Sequence, residues 1–490
     1  MSFWLLALSA CGSSSSDDDE PGYVKLYNAS PNSPDIFLTL DEDLDEDYDE
    51  ELEQTYSGVG YSEALRDVEV PSRDYYVELA YQDEDSSLRT DLALIFESTL
   101  YVPPETIVMY VLSEDFPNPV ITEFQIPVID DDDDTNDDLF NLRFLNLHPD
   151  YASLDVYMSK SDETFNEAVL MGTHGYLALS DNNKLDEDQY TFYITEAGSS
   201  EILFESVEVS YPFSNQYILA IRPNFGADST PFVIDNIGRT SNTEYQSSNA
   251  QSQFRLYNGI EVNDLMPSYR GSIEVSAAMP LFADETFQVL TSNLEAGEFT
   301  DFFITENGDY EFNVKSGGTS DYLLQNQLIS LPANAQRTLF YYTSEESVDE
   351  DGDGDIDENG DGIIDQTEAI IQTLVVNNSN QTRLYDHEIK IINLVDDDEF
   401  SGVTFYFVQS DESIETASNR RTAGLATLQT LILRNNTYEV YAVANIDGRE
   451  IILNSKLLTL DEDSREQFLI FEREPNSATG YEMRFVDQTP

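Results

Sequence analysis

Apolar and polar residues alternate in short runs along most of this chain. IFLTL from Ile36, LDVYMS from Leu154, SIEVS from Ser272 and VTFYFV from Val403 each place every second side chain on one face. That period of two predicts strands with one face buried. Gly, Pro, Asn, Asp and Ser punctuate the runs as turn residues. Convincing amphipathic helices are scarce, so the pattern predicts an all-β chain.

The runs recur in a fixed order. Four stretches carry a basic residue three positions before an Asn: YVKLYN ending at Asn28, NLRFLN at Asn146, QFRLYN at Asn258 and EIKIIN at Asn393. The basic residues are Lys25, Arg143, Arg255 and Lys390. Each is followed by a Tyr-x-apolar-x-apolar run, at Tyr75, Tyr190, Tyr310 and Tyr438. A late apolar strand closes each copy: IVMYVL at Ile107, YILAI at Tyr217, TLFYY at Thr338 and FLIF at Phe468. Such self-similarity marks a tandem array. Each copy is roughly 110 residues of short strands, the size of an Ig-like sandwich.

The predicted fold is therefore all-β, four tandem Ig-like antiparallel β-sandwich domains. Residues 22–129 form the first, 139–245 the second, 252–378 the third and 385–490 the fourth. An acidic linker at 130–138 separates the first two, where DDDDDTNDD self-repels and extends. The basic residue and the Asn of each copy read as structural. An Asn at a strand end makes turn hydrogen bonds, and a Lys or Arg lies along the sheet face.

Charge narrows the partners. Against 96 Asp and Glu stand 23 Lys and Arg, for a formal net charge of −73. That surface repels nucleic acid and anionic lipid heads, and suits salt, cations or basic partners. At 40% hydrophobic and 12% aromatic residues, the chain has enough apolar content to fold despite that charge.

The N-terminus reads as an address. FWLLALSAC, residues 3–11, ends in Leu8-Ser9-Ala10-Cys11 and resembles the bacterial lipobox, in which the Cys is lipidated. Residues 1–11 are then a lipoprotein signal segment and 12–21 a flexible acidic tether. The basic n-region is missing and the apolar run is short, so the true start is expected upstream. Cys11 is the one Cys of the chain, which leaves no disulfide and places the thiol where lipid would attach. Gly12 after the Cys implies the outer membrane.

YVKLYNASPNSPDIFLTLD resembles the opening of the DUF4397 domain, an exported bacterial β-domain of unassigned function. Asn28, Ser30, Pro31 and Asp35 match its opening pattern, and the second copy keeps Asn146, Pro149 and Asp155. The third and fourth copies keep mainly the basic residue, the Asn and the strand rhythm. The resemblance implies a sandwich and export, and supplies no catalytic residues.

No stretch reads as a catalytic centre. His148, His174 and His387 are scattered without metal-ligand spacing, and are expected at loop or edge positions. No nucleophile elbow or phosphate loop is present. Trp4, the sole Trp, lies in the signal segment, which counts against a carbohydrate-binding role and leaves Tyr to stack on a sugar.

One acidic stretch differs from the rest. Counted from Asp357, the positions of an EF-hand loop are filled by Asp357, Asn359, Asp361, Gly362, Ile363, Asp365 and Glu368. Gly362 makes the sharp turn, Ile363 offers its carbonyl and Glu368 closes the shell. The rhythm starts earlier as well, with Asp349, Asp351, Asp353 and Asp355, but lacks a closing Glu. Overlapping loops of this kind resemble the calcium repeats of thrombospondin type 3. The flanks are strand-like, so residues 345–368 are expected as a long hairpin insertion holding calcium. Equally acidic runs at 41–53 and 130–134 have no Gly and no such spacing.

The sequence thus points to a non-enzymatic, calcium-binding, lipid-anchored module of the bacterial outer membrane, engaging an envelope or extracellular macromolecule. The alternative is an accessory subunit or hydrolase of the envelope with an unrecognised site.

Overall fold

The computed structural model describes residues 20–42, 53–82, 91–129, 138–278, 287–348, 366–379, 381 and 383–489. The signal segment, Cys11, most of the tether, residues 130–137 of the acidic linker and loop residues 349–365 lie outside them. The described residues are strands, turns and one 3-10 turn at Phe165–Glu167.

The first copy sets the plan. Its strands are β1 (Gly22–Asn28), β2 (Ile36–Asp41), β3 (Glu53–Thr55), β4 (Glu63–Ala64), β5 (Val68–Val70), β6 (Asp74–Gln82), β7 (Leu92–Tyr101), β8 (Thr106–Ser113) and β9 (Val120–Pro127). One sheet has the order β4-β1-β8-β9, with β5 also on β1, and the other β3-β2-β6-β7. Six further sheets repeat this two-sheet plan three times, giving tandem β-sandwiches.

One pairing in each copy departs from the antiparallel expectation. β1 runs parallel to β8, with Tyr23 opposite Ile107 and Asn28 opposite Leu112. The strands opening the other copies, Leu139–Asn146, Gln251–Gly259 and Asp386–Asn393, run parallel to the late strands Gln216–Pro223, Gln336–Ser347 and Gln467–Arg473. Parallel neighbours need a crossover, and here the chain crosses the other sheet before it returns.

The landmarks now have physical roles. In each copy the Asn at the end of the opening strand accepts a hydrogen bond at Oδ1 from the backbone N–H two residues on. Ser30 donates to Asn28 at 3.1 Å, His148 to Asn146 at 3.0 Å, Ile260 to Asn258 at 3.2 Å and Val395 to Asn393 at 3.0 Å. The amide nitrogens then donate across the sandwich, to carbonyls such as Val59, His174, Leu294 and Ala423. The Asn therefore both turns the chain and bridges buried polar groups. Each Tyr landmark bonds the carbonyl four residues upstream: Tyr75 to Pro71 at 2.9 Å, Tyr190 to Asp186 at 2.7 Å, Tyr310 to Glu306 at 2.8 Å and Tyr438 to Arg434 at 3.0 Å. These are four tyrosine corners, a device of Ig-type sandwiches that pins a strand entry to the chain before it.

The copies are not separate beads. Each sandwich has its own core, but β1 and β8 are buried on both faces. Val108, Tyr110 and Leu112 face the first core, while Tyr27, Met109 and Val111 meet Leu145, Ile218 and Ala220 of the second copy. The third and fourth copies join in the same way, Tyr257, Phe340 and Tyr342 packing on Ile392, Phe468 and Ile470. Each pair is thus a stack of four sheets. The pairs also touch. Asn224 and Asn334 exchange amide hydrogen bonds between the second and third copies. Tyr385, at the start of the fourth copy, stacks on Tyr81 of the first with ring centres 5.2 Å apart.

Candidate functional site

The repeated basic residues do not simply lie along a sheet face. Lys25 is buried, and its ammonium donates to Asp67 at 2.8 Å and to the Gly238 carbonyl of the second copy at 2.9 Å. Arg255 donates to the Asp487 carbonyl of the fourth copy at 2.6 Å, and its guanidinium lies 4.3 Å from the Phe299 ring centre. Lys390 donates to the carbonyl of Asn377, in the third copy, at 2.7 Å. Arg143 stays within its own copy, on the Ser180 carbonyl at 3.0 Å. Three of the four therefore tie one copy to another, which agrees with a structural role.

Beside them lies a buried charge cluster. Arg222, in a late strand of the second copy, donates to Asp235 at 2.6 and 3.2 Å, to Glu244, and to the Tyr61 hydroxyl of the first copy at 3.2 Å. Tyr27 of the first copy donates its own hydroxyl to Asp235 at 2.6 Å. Burial opposes the Arg222 charge, but Asp235 and the two tyrosines outweigh it and hold the guanidinium pKa above its usual value. The equivalent tie in the other pair runs from the Tyr257 hydroxyl to Glu472 at 2.6 Å, with Arg484 on the same carboxylate.

This cluster forms one wall of a cavity of about 710 Å³, within the range of small-molecule sites. All four copies reach it. The first gives Ser33 and Tyr61, the second Arg222, Asn224 and Phe225, the third Asn334, the segment leading into the fourth Gln381 and Arg383, and the fourth Lys390. Tyr61 is packed between Arg222, at 5.1 Å, and Phe225, whose ring centre is 6.0 Å away. Burial raises the Tyr61 hydroxyl to about 12, so it stays a neutral donor. Gly226 sits against Asn334 so closely that a Cβ there would collide with the amide. The second and third copies can approach this way only with Gly at that position.

Behind the cavity wall lies Glu466, 2% exposed. Burial and the neighbouring Glu388 raise its carboxyl to about 8, with Arg383 opposing. It is therefore protonated in the native state at neutral pH and ionised in the unfolded chain. The native state holds the extra proton between pH 4.5 and 8, so its stabilising contribution is full below 4.5 and falls as pH rises through 8. Glu466→Gln is expected to match wild type near pH 4 and to exceed it by about 2–4 kcal/mol at pH 8. Urea midpoints across that range check this, and parallel curves for the two proteins would refute it.

The predicted calcium insertion is a hairpin at its base. Strands Gln336–Ser347 and Thr367–Asn377 pair antiparallel up to Ser347 opposite Thr367, and the Val348 N–H reaches the Gln366 carbonyl at 2.9 Å. Of the candidate ligands only Glu368 is among the described residues. It is exposed on its strand, directly opposite Glu346. Asp349, Asp351, Asp353, Asp355, Asp357, Asn359, Asp361, Ile363 and Asp365 lie outside. Among the described residues no three His, Cys, Asp or Glu are gathered as a metal site.

His148 follows an opening strand and His174 lies on an edge strand, but His387 occupies a central strand, and all three are buried. Burial lowers all three imidazoles. They pack as aromatic rings, His174 on Phe144 at 5.1 Å and His148 against Tyr151 at 4.8 Å. Sequence reasoning missed the cavity, because its lining comes from strand ends and loops of four copies far apart in the chain.

No family model matches this chain, and no curated protein does. Among solved structures, the Bacillus anthracis TIE protein is 9% identical, covering 94% of this chain and 75% of its own at a TM-score of 0.15. The pilus adhesin SpaC of Lactobacillus rhamnosus GG is 11% identical, covering 90% of this chain and 57% of its own at 0.15. A variant of BcpA, the major pilin subunit of Bacillus cereus, is 7% identical, covering 68% of this chain and 99% of its own at 0.13. Superpositions this loose match no residue of one chain to a residue of another.

Proposed function

We propose that this chain is a non-enzymatic binding module of the bacterial cell envelope, held to the outer membrane by lipid on Cys11, with calcium in the hairpin of its third copy. The carrying observation is the cavity: four sandwiches, tied by buried polar contacts, converge on one space that no copy encloses alone. A spacer protein needs no such convergence, whereas a receptor gains a rigid, many-sided site from it. The N-terminal lipobox and the DUF4397-like opening support export, and the EF-hand spacing supports calcium. The net charge of −73 keeps the module off anionic lipid heads and nucleic acid, so the membrane contact is the lipid alone.

Expressed with a complete bacterial lipoprotein signal sequence ahead of Cys11, wild type is expected in the membrane fraction, and Cys11→Ser is released as soluble exported protein. Cross-linking in envelope fractions then recovers a bound macromolecule, and a hydrolase panel shows no turnover. Wild type found soluble in the cytoplasm, or a glycan or peptide bond cleaved by the purified chain, would overturn the reading.

A further inference from the structure

We propose that the four-copy cavity binds a neutral oligosaccharide, with Phe225 as stacking platform and Asn334 and Arg383 as hydrogen-bonding partners. The inference rests on the binding-module reading and names its ligand.

Charge does the first sorting. The chain's net −73 opposes an approaching anion. Arg222, Arg383 and Lys390 all reach the cavity, so it does not favour a cation either. Two of these bases are already matched: Arg222 by Asp235 and Glu244, and Lys390 by Glu388 at 2.9 Å. The wall is close to locally neutral, in a molecule that is acidic elsewhere. A ligand without formal charge meets the smallest penalty there.

Hydrogen-bonding character does the second. Asn224 and Asn334 face each other across the copy boundary; Asn224 is taken up by Asn334, Gly226 and Thr230, while Asn334 Nδ2 gives one hydrogen to Asn224 and has a second for a ligand. A sugar hydroxyl accepts as readily as it donates, so it suits that second Asn334 hydrogen. Arg383 adds a donor in need of an acceptor. Its Nη1 is buried with no hydrogen-bond partner, and the Asp35 carboxylate lies 3.9 Å off. An unmet buried donor is unfavourable, and a ligand hydroxyl reaching it would supply the missing acceptor. Phe225 supplies the apolar element. It is 47% exposed at the cavity, with Tyr61 tilted behind it, and a half-exposed ring suits the C–H face of a pyranose.

The test uses the soluble chain from residue 20 onward and a panel of maltohexaose, cellohexaose, chitohexaose and xylohexaose, read by calorimetry. At least one sugar is expected to bind saturably. Phe225→Ala, an exposed position whose loss leaves the cores intact, weakens it ten-fold or more, and Arg383→Gln three- to thirty-fold. Glu450→Gln, exposed on the fourth copy and outside the cavity lining, leaves the affinity unchanged. Near-ultraviolet circular dichroism identical to wild type confirms that the variants are folded. No saturable binding up to 10 mM with any sugar, equal affinity in wild type and Phe225→Ala, or binding only of acidic sugars or peptides would overturn the inference. If envelope cross-linking recovers the same partner with wild type and Phe225→Ala, the binding-module reading survives and this assignment of its site falls.

Discussion

Asp235→Ala lowers the unfolding free energy by about 3–5 kcal/mol, the loss expected when a buried charge loses its partner. Asp235 is fully buried and takes two hydrogen bonds from Arg222 and one from Tyr27 of the neighbouring copy. Its removal leaves Arg222, 4% exposed along its side chain, with Glu244 as its remaining carboxylate. Tyr27→Phe deletes one bond to a charged acceptor and costs less, about 1.5–3 kcal/mol. The double variant Arg222→Met with Asp235→Leu removes both charges but leaves the Tyr27 hydroxyl unmet, and is expected between wild type and Asp235→Ala. Urea unfolding followed by near-ultraviolet dichroism measures all three. A double variant as damaged as Asp235→Ala would show that the site depends on shape rather than on an unpaired charge.

Calcium at millimolar concentration is expected to slow protease cleavage within residues 345–368 by ten-fold or more, and Asp357→Ala with Asp361→Ala to abolish the effect. The reasoning is electrostatic. Asp357, Asp361, Asp365 and Glu368 gathered at about 5 Å in water would carry roughly 5 kcal/mol of mutual repulsion without a cation. The neck of the hairpin adds Glu346 opposite Glu368, a like-charge pair across the strands that is itself unfavourable. An extracellular-type affinity of about 10⁻⁴ to 10⁻³ M follows from the neutral Asn359 and the strand flanks. Magnesium competes poorly, because it demands a tighter octahedral shell. Calorimetry on the chain from residue 20 onward checks the binding directly. Equal protection of wild type and double variant would mean that calcium only screens an acidic surface.

The strand-end Asn, the Tyr-led strands and the late apolar strands were legible because each obeys local rules repeated four times. The stacking of copies in pairs was not read, although a signal existed. IVMYVL at Ile107 and FLIF at Phe468 are apolar at both parities, and period-two strands with one wet face are not. Ile107, Met109 and Val111 face the second copy while Val108, Tyr110 and Leu112 face the first core. An unbroken apolar run marks a strand buried on both sides. The residue before each Asn carried a second signal. It is Tyr27 and Tyr257 in the first and third copies, and Leu145 and Ile392 in the second and fourth. The tyrosines reach across to Asp235 and Glu472, while the aliphatic residues lie beneath them. The cavity had no such signal. Arg222, Asn334 and Arg383 each sit in unremarkable local sequence, and only the packing of the pairs brings them to one space.

The parallel strand in every copy governs when that copy can fold. Tyr23 finds its partner at Ile107, Asn141 at Gln216, Gln253 at Gln336 and Ile389 at Gln467. A chain emerging N-terminus first therefore cannot complete the sheet of any copy until nearly all of that copy has appeared. Contacts this distant in sequence make closure slow. Even a closed first copy then shows water the apolar back of β8 until the second copy arrives to cover it. The unpaired odd-numbered sandwich is thus the aggregation-prone intermediate of this chain. A ribosome stall or truncation after the first or third copy would be punished more heavily than one after the second.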